Sequence, residues 1–274
     1  MAGLDADRIR RALDAATCDA LAEIEVFPEI ESTNSYLMRQ SGPEAGRFRV
    51  AVTDKQTAGR GRHGKTWQSP PGSGLCLSMA YTFGHSPGNL PALTLAIGLG
   101  AIENLGGQGI AGLQLKWPND LIASNGKLGG ILTEAKMGAH DALTVVTGIG
   151  LNIDLGDDLV LEDEGGGALR VVDLKSHAIE VPPAEHLAAT LINGLQQTFV
   201  AYEQNGFEGF SGSWADYDWL HGREVSVEIS GREVSGIGAG IASDGALLLE
   251  TRDAGTKRIT SGTVLVKETR EYGL

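Results

Sequence analysis

The chain has 274 residues, of which 42% are hydrophobic and 5% aromatic, and its formal net charge at pH 7 is −13. This length and composition are typical of a globular protein with one large domain, or with a large and a small one. The negative charge argues against a nucleic-acid partner, because binding to a phosphate backbone depends on clustered lysine and arginine, and no local basic face is evident.

The N-terminal residues and the cysteine and histidine content exclude further classes of protein. Residues 1–14 mix acidic and basic side chains without an apolar core, and nowhere do about 18 uncharged apolar residues run together. Two cysteines are too few for a disulfide framework, and Cys76 is expected to be a core thiol because it lies in an apolar strand. The six histidines form no H-E-x-x-H or Cys/His cluster. We therefore expect a cytoplasmic protein without membrane contact and without a metal site of its own.

The first 40 residues predict a helix, a strand and a second, capped helix. Apolar residues at helical spacing predict a helix over residues 6–20, and residues 23–30 predict a strand. The Ser-Thr-Asn sequence at residues 32–34 is expected to cap the short helix that follows. Capping alone would account for the polar Ser-Thr-Asn sequence at residues 32–34.

A long glycine-rich connection joins two apolar strands predicted at residues 48–53 and 75–81. Glycine lets a backbone approach a ligand closely, and clustered cations suit phosphate or carboxylate groups, so the loop is predicted to close over an anion. Its glycines and cations are Gly59, Arg60, Gly61, Arg62, Gly64 and Lys65.

Two other interpretations of this loop have to be weighed. Residues 59–64 also match G-x-G-x-x-G, but a dinucleotide-binding loop needs a helix directly behind it, and the Pro-Pro-Gly sequence at residues 70–72 cannot open one. On this stretch alone, an ordinary surface loop rich in glycine and arginine stays an alternative.

The middle of the chain combines a packed helix with a polar turn. Small residues in the helix predicted over residues 91–105 indicate close packing on a sheet. A short strand at residues 113–116 then leads into Lys-Trp-Pro-Asn-Asp, which places a cation, an amide and a carboxylate within residues 116–120. An ordinary polar turn accounts for this cluster equally well.

A hairpin and two glycine-bearing strands come next. Asn125-Gly126 is a strong turn signal, and the returning strand is predicted to start at Lys127, a lysine that a solvated strand end would also explain. Two glycines directly after it, and two more in the strand predicted over residues 143–153, would let a ligand lie against the sheet.

The C-terminal half contains an acidic segment, one long predicted helix and then a series of short predicted strands. Residues 154–164 are expected to be a solvated insertion, and apolar spacing over residues 183–206 predicts an amphipathic helix. Beyond residue 220, short alternating strands and Gly-containing turns predict a small antiparallel barrel. Its strands are expected at residues 224–229, 234–240, 246–251 and 264–267, with turns at Ser230-Gly231 and Asp244-Gly245.

Four ordered blocks in this sequence resemble the biotin protein ligase family, and the likeness extends from about Ile30 to the C-terminus. They are Gly-Arg-Gly-Arg-His-Gly with the Trp, Ser-Pro and Gly after it (residues 59–72), Lys-Trp-Pro-Asn-Asp (116–120), Lys-Leu-Gly-Gly-Ile-Leu (127–132) and Gly-Ile-Gly-Leu-Asn-Ile (148–153). The resemblance implies an α+β fold, in which a mixed β-sheet with flanking helices, like that of class II synthetases, is followed by a small SH3-like β-barrel. We expect the catalytic domain at residues 1–220 and the barrel at residues 221–274. Some members carry an N-terminal DNA-binding domain and act as repressors, but too few residues precede the catalytic region here, so the monofunctional type is expected.

The implied reaction is ATP-dependent activation of biotin to biotinyl-5'-AMP, followed by transfer to a specific lysine of a biotin carboxyl carrier domain. Mg²⁺ accompanies ATP, and the carrier is expected to belong to acetyl-CoA carboxylase or a related carboxylase. A related ligase for lipoate or another short acid and an inactive biotin-binding regulator are the competing functions. A homodimer through an exposed sheet edge is left open.

The resemblance also assigns roles to individual residues, with Lys127 and Arg62 as the catalytic pair. Lys65 stands where the family often has a second arginine, which keeps the charge but not the bidentate geometry. The biotin-binding set is Ser32, Thr33, Asn34, Gln56, Arg60, Gly61, Arg62, Lys127 and Gly130. The ATP- or adenylate-binding set is Lys65, Trp67, Lys116, Asn119, Asp120 and Asn152.

Overall fold

The structure is a computed structural model that describes residues 3–138, 142–156, 169–229, 231–252 and 255–266. Within these residues, seven strands form one sheet in the order β1-β2-β3-β7-β6-β5-β4. The strands are β1 (Leu21–Val26), β2 (Phe48–Thr53), β3 (Gly74–Phe83), β4 (Gln114–Lys116), β5 (Asp120–Ala123), β6 (Gly126–Met137) and β7 (Leu143–Asn152). Strands β1 and β2 run parallel and the other neighbours antiparallel, so the expected mixed sheet is confirmed.

Helices cover both faces of this sheet. They are α1 (Ala6–Arg11), α2 (Ala15–Ala20), α3 (Thr33–Arg39), α4 (Leu90–Gly107), α5 (Leu174–His177), α6 (Ala184–Asn205), α7 (Glu208–Ser211) and α8 (Trp214–Tyr217). Because side chains alternate along a strand, Leu75, Leu77 and Met79 of β3 join the main core with α4 and α6. On the opposite face Ala80 packs with Leu37 of α3, which leaves the rest of that face for a cleft.

Helix α4 is long and apolar enough, by length and composition, to cross a membrane, but 61% of it is buried inside the fold. Its small residues explain the burial. A Cβ on Gly100 would lie 2.1 Å from Thr198 Oγ1, and a Cβ on Gly194 would lie 2.7 Å from Asn104 Nδ2. Glycine at both positions therefore lets α4 and α6 approach closely, as in a core helix pair. The close packing on the sheet predicted for residues 91–105 is found at Gly98, where a Cβ would lie 3.0 Å from Leu115 Cδ2 of β4.

Three local predictions are corrected. The helix predicted over residues 6–20 is two helices, because the Asp14 side chain accepts a hydrogen bond from Thr17 N and so caps a second start. The first strand ends at Val26, and Ile30 instead forms an isolated bridge with Gln56.

The third correction concerns the hairpin turn, which consists of Ser124 and Asn125 with φ of 46° and 56°. A two-residue turn with positive φ at both positions matches the twist of the flanking strands. Strand β6 therefore begins one residue earlier than expected, at Gly126.

A second, antiparallel sheet follows in the order β11-β10-β9-β8-β12, consistent with the expected SH3-like fold. Its strands are β8 (Glu224–Ile229), β9 (Arg232–Ile241), β10 (Leu247–Thr251), β11 (Gly255–Ile259) and β12 (Thr263–Val266). Strand β11 was not predicted, because it is an exposed edge strand in which only Ile259 is buried. The predicted acidic insertion lies largely outside the described residues, as do Ser230 and Lys267.

Hydrogen bonds connect this second sheet to the first domain. Trp117 Nε1 donates to the Gly245 carbonyl at 2.9 Å, and Asn89 Nδ2 donates to the Asp244 carbonyl at 2.5 Å. Because Trp117 lies in the polar turn at residues 116–120, this contact brings the small domain next to the cleft.

Candidate active site

A single cleft on the α3 side of the large sheet brings together every residue that the sequence assigned to the site. Its empty volume is about 1210 Å³, counting space open to solvent. The predicted residues that line it are Ser32, Thr33, Asn34, Gln56, Arg60, Gly61, Arg62, Lys65, Trp67, Lys116, Asn119, Asp120, Lys127, Gly130 and Asn152. The four sequence blocks that carry the family resemblance therefore form one site together with residues 32–34 and Gln56.

Glycines on β6 and β7 shape the floor of the cleft. A Cβ on Gly150 would lie 2.3 Å from Trp67 Cε2, and a Cβ on Gly148 would lie 2.4 Å from Asn34 Oδ1. Gly130, which is paired with Gly150 in the sheet, has Trp67 Cζ3 3.6 Å from its Cβ position. The strands thus lack side chains where an indole ring and an amide must pack, and this explains their glycine content.

The start of α3 forms a polar end of the cleft. Thr33 N donates to Gln56 Oε1 at 2.8 Å, and Thr33 Oγ1 lies 2.7 Å from Ser78 Oγ. Ser78 Oγ in turn donates to Asn34 Oδ1 at 2.7 Å, while Ser32 caps the helix by accepting from Ser35 N at 3.3 Å. Ser32, Thr33, Asn34 and Ser78 are buried. Such a connected set of buried polar groups holds its members in fixed orientations.

Cations surround one carboxylate at the other end. Lys127 Nζ lies 3.2 Å from Asp120 Oδ1, and Lys116 Nζ lies 3.8 Å from Asp120 Oδ2. Arg62 Nη1 donates to Asn119 Oδ1 at 3.4 Å. Burial lowers the pKa of Arg62, and the nearby Asp120 charge opposes this shift. Since arginine stays protonated in proteins, this end carries more positive than negative charge and suits phosphates or a carboxylate.

The glycine-rich loop folds back on itself over the cleft. Residues Arg60 and Thr66 form an antiparallel bridge, and Gly61 N donates to the Lys65 carbonyl at 2.7 Å. The turn between them contains His63 with φ of 55° and Gly64 with φ of 76°. Residues 60–66 of the loop therefore form a small hairpin.

Several residues in or beside the cleft were not identified as site residues from the sequence. Ser78 and Cys76 lie on the floor, and residues 262–264 of the second sheet reach the rim. Glu134 does not line the cleft itself but contacts two residues that do, Arg60 and Asn34. Burial raises the pKa of Cys76 to about 11, so it stays a neutral thiol, as expected of a core cysteine. Ser78 had a weak signal, a serine in an apolar strand, whereas the others depend on strand pairing and domain docking.

Two family models match the chain. One, described as the biotin/lipoate A/B protein ligase family, matches residues 26–152, and the other, the biotin protein ligase C terminal domain, matches residues 220–267. The first match contains the loop, the polar turn and the glycine-bearing strands, and the second contains the five-stranded sheet.

Comparisons with individual proteins and with a solved structure agree with these two family matches. A biotin acetyl-CoA-carboxylase ligase of Mycobacterium tuberculosis is 29% identical over 260 residues, which is 90% of this chain and 93% of that relative. The solved structure of the Aquifex aeolicus biotin protein ligase in complex with biotin and ATP has a TM-score of 0.72 at 25% identity, and the match covers 90% of this chain and 99% of that one. The bifunctional ligase/repressor BirA of Salmonella typhimurium is 36% identical over 250 residues, which is 90% of this chain and 73% of that protein. With both family matches, this relative shows that the chain belongs to the biotin protein ligase family.

Proposed function

We propose that the chain activates biotin with ATP to biotinyl-5'-AMP and transfers the biotinyl group to a specific lysine of a biotin carboxyl carrier domain. The observation that carries this proposal is the cleft itself, which joins a neutral, hydrogen-bonding end to a cationic end. Biotin has the same polarity, with a neutral ureido ring at one end and a carboxylate at the other. ATP adds its phosphates at the cationic end.

Each end of the cleft takes one part of the substrates. Thr33, Asn34 and Gln56 face the ureido ring with hydroxyl and amide groups, and the glycine floor accommodates the aliphatic chain. Arg62 and Lys127 receive the carboxylate and the α-phosphate. We assign ATP or adenylate contacts to the remaining predicted residues: Lys65, Trp67, Lys116, Asn119, Asp120 and Asn152.

The chemistry needs no nucleophile from the protein. A biotin carboxylate oxygen attacks the α-phosphorus, the bond from that phosphorus to the bridging oxygen breaks, and pyrophosphate leaves. The neutral amine of the carrier lysine then attacks the mixed anhydride carbonyl, AMP leaves with the bonding electron pair, and the surplus proton on the nitrogen passes to solvent. The protein contributes positioning, charge stabilisation by Lys127 and Arg62, and exclusion of water by the loop.

Asp120 keeps Lys127 in place before substrate arrives. Its carboxylate lies 3.2 Å from Lys127 Nζ and also contacts Lys116, so both ammonium groups are held at the cationic end. A phosphate that enters meets donors that are already oriented, which lowers the reorganisation needed in the transition state.

The cleft also fits a magnesium ion that arrives with ATP. Among the described residues no group of three His, Cys, Asp or Glu side chains forms a metal cluster. Nucleotide-bound Mg²⁺ requires less, namely one or two carboxylates in addition to phosphates and water. Asp120 and the amide oxygens of Asn119 and Asn152, which all line the cleft, would provide such oxygen ligands, while Lys116 and Lys127 would pair with the phosphates. When bound there, the ion would neutralise charge on the departing pyrophosphate.

Membership of the family supports proposals about the partner and the domain organisation of this chain. We propose that the acceptor is the biotin carboxyl carrier protein of acetyl-CoA carboxylase or of a related carboxylase, and that the protein acts in the cytoplasm. We place the catalytic domain at residues 1–220 and the SH3-like domain at residues 221–274. A homodimer through a sheet edge is a further proposal.

The test is incubation with Mg-ATP and either biotin or lipoate, with pyrophosphate release, adenylate and transfer to a carrier domain measured. Biotin-dependent pyrophosphate release with carrier labelling supports the proposal. Release only with lipoate would identify the related acyl ligase, and biotin binding without pyrophosphate would identify a regulator.

A further inference from the structure

Glu134 on β6 connects the loop to the polar end of the cleft. Its Oε2 atom forms an ion pair with Arg60 Nη2 of the loop. The same oxygen accepts a hydrogen bond at 3.1 Å from Asn34 Nδ2, which also donates to the Leu132 carbonyl at 3.2 Å. One carboxylate oxygen thus holds a side chain from the loop and one from α3.

The position of Glu134 follows from strand register. Residues two apart on a strand share a face, so Leu132, Glu134 and Lys136 all face α3. Lys136 Nζ donates to the Leu37 carbonyl at 2.7 Å and the Met38 carbonyl at 3.1 Å, at the C-terminal end of α3. Strand β6 therefore fixes α3 at both ends, and Glu134 is its contact at the end that enters the cleft.

The hydrogen bonds continue from Asn34 to the far side of the loop. Ser78 joins Asn34 to Thr33, and Thr33 joins Gln56. Gln56 N then donates to Ser69 Oγ at 3.0 Å, where the loop returns to the sheet. Both sides of the loop are tied into one network that passes through the proposed biotin-binding residues.

We propose that Glu134 is a positioning residue that couples closure of the loop to the arrangement of the biotin pocket, with Arg60 as its loop partner. The proposal rests on the proposed function of the cleft. It assigns the charge of Arg60 to anchoring the loop, and leaves the carboxylate and phosphates to Arg62, Lys116 and Lys127. This narrows the role of Arg60, which the family resemblance placed among the biotin-binding residues.

Charge and burial favour this division of roles. The side chains of Arg60 and Glu134 are 41% and 26% exposed, so the pair lies at the rim of the cleft, where an isolated ion pair contributes little. Lys116, in contrast, has a side chain only 5% exposed beside Asp120. The Arg60–Glu134 pair is stronger than an isolated ion pair, because the hydrogen bond from Asn34 already orients the Glu134 carboxylate before Arg60 of the loop binds it.

A double-mutant cycle tests the proposal, with Arg60→Gln, Glu134→Gln and the double variant. Each single change is expected to raise the KM for biotin about three- to tenfold, with kcat at saturating biotin and Mg-ATP within about twofold of the parent. The double variant should be no worse than the more affected single variant, because both changes remove one interaction. Effects that multiply would overturn the proposal, since they would mean that Arg60 meets the ligand independently of Glu134. A lowered kcat with unchanged KM would overturn it too.

Limited trypsin digestion of the ligand-free protein gives a readout that does not depend on enzymatic activity. Cleavage after Arg62 is expected to accelerate about three- to tenfold in both single variants, because the loop loses its anchor. Unchanged cleavage in both would refute the anchoring role even if the protein is a fully active ligase. Because the digestion uses ligand-free protein, it tests the anchoring role of Glu134 even if biotin is not a substrate.

The matched control is Glu185→Gln, which also converts a paired carboxylate to an amide. Glu185 lies on α6, away from the cleft, and pairs with Arg8 at 3.5 Å. It should change neither the digestion pattern nor the KM. Because Arg60→Gln alters a loop side chain outside the core, it keeps the test valid if Glu134→Gln fails to fold.

Discussion

Replacing Gly150 by alanine tests the packing that holds the loop over the cleft. The new Cβ would lie 2.3 Å from Trp67 Cε2, 2.5 Å from Cζ2 and 2.8 Å from Nε1. Favourable contacts between carbon atoms begin at about 3.5 Å, so the indole ring of Trp67 must move away from the new Cβ by roughly 1.2 Å. The side chain of Trp67 belongs to a half-buried loop residue, whereas Gly150 lies within a strand that is paired on both sides. The ring and its loop will therefore move, and the strand will not.

The free-energy cost of this clash can be estimated from substitutions that overpack well-packed sites, which typically destabilise a protein by about 1–3 kcal/mol. Since the loop yields, most of this energy is lost from docking of the loop and little from global stability. We expect kcat/KM for pyrophosphate release to fall by about 5- to 150-fold, which is the same energy expressed as a rate. The free energy of unfolding in urea should fall by less than about 1 kcal/mol.

The control is Gly106→Ala near the end of α4, where a Cβ would have no neighbour within 4 Å. That variant should match the parent in kcat/KM, and its free energy of unfolding should not fall, because alanine is favoured over glycine within a helix by up to about 1 kcal/mol. Gly150→Ala with unchanged kcat/KM would refute the reasoning, because it would show that docking of Trp67 on β7 is not needed for adenylate formation. A loss of several kcal/mol in unfolding free energy would also contradict it, by placing the strain in the core.

Three other predictions follow from the same cleft. Lys127→Ala should slow pyrophosphate release at least about thirtyfold, which corresponds to about 2 kcal/mol, with an unchanged melting temperature. The control Lys257→Ala, which replaces an exposed lysine of β11, should have no effect. An unchanged rate in Lys127→Ala would remove Lys127 from the mechanism. Trp117→Phe should lower the free energy of unfolding by about 1–3 kcal/mol in urea titration, because the buried Gly245 carbonyl loses its donor, and a smaller change would mean that this domain contact is replaceable. Biotin with Mg-ATP should slow tryptic cleavage after Lys65 by up to about a hundredfold, and biotin alone less, since it lacks phosphate; equal fragment yields by mass spectrometry in all samples would contradict closure on ligand.

The sequence predicted those parts of the structure that depend on neighbouring residues. The amphipathic pattern and the flanking Pro-Pro and Asn-Gly signals gave α6 nearly to the residue, since helix ends are determined locally. A cap within residues 32–34 was predicted for the same reason, and the structure identifies Ser32 as the capping residue. The break between α1 and α2 was missed because apolar spacing continues through it, and only the cap at Asp14 marks it.

The site needed information that no local pattern contains. Glu134 and Asn34 are 100 residues apart in sequence and meet only because β6 pairs with β7 beside α3. The glycines of β7 were predicted to leave room for a ligand, yet the structure shows that part of this room is occupied by Trp67 and Asn34. A glycine therefore indicates close approach, but the sequence does not say whether a ligand or the protein itself approaches.

Contacts with the rest of the protein also change the charge balance of the loop. Three cations within a few residues, Arg60, Arg62 and Lys65, would repel one another if nothing compensated their charges. In the structure Arg60 is neutralised by Glu134, and Arg62 donates to Asn119 near the Asp120 carboxylate. Among the described residues, no salt bridge involves Lys65. Only the charge of Arg60 is thus compensated by a carboxylate of its own before ligand arrives, so a bound phosphate can still satisfy the charges of Arg62 and Lys65. A lysine at position 65 suits this use, because a flexible ammonium can reach an anion that enters late, whereas Arg60 is already engaged in anchoring the loop.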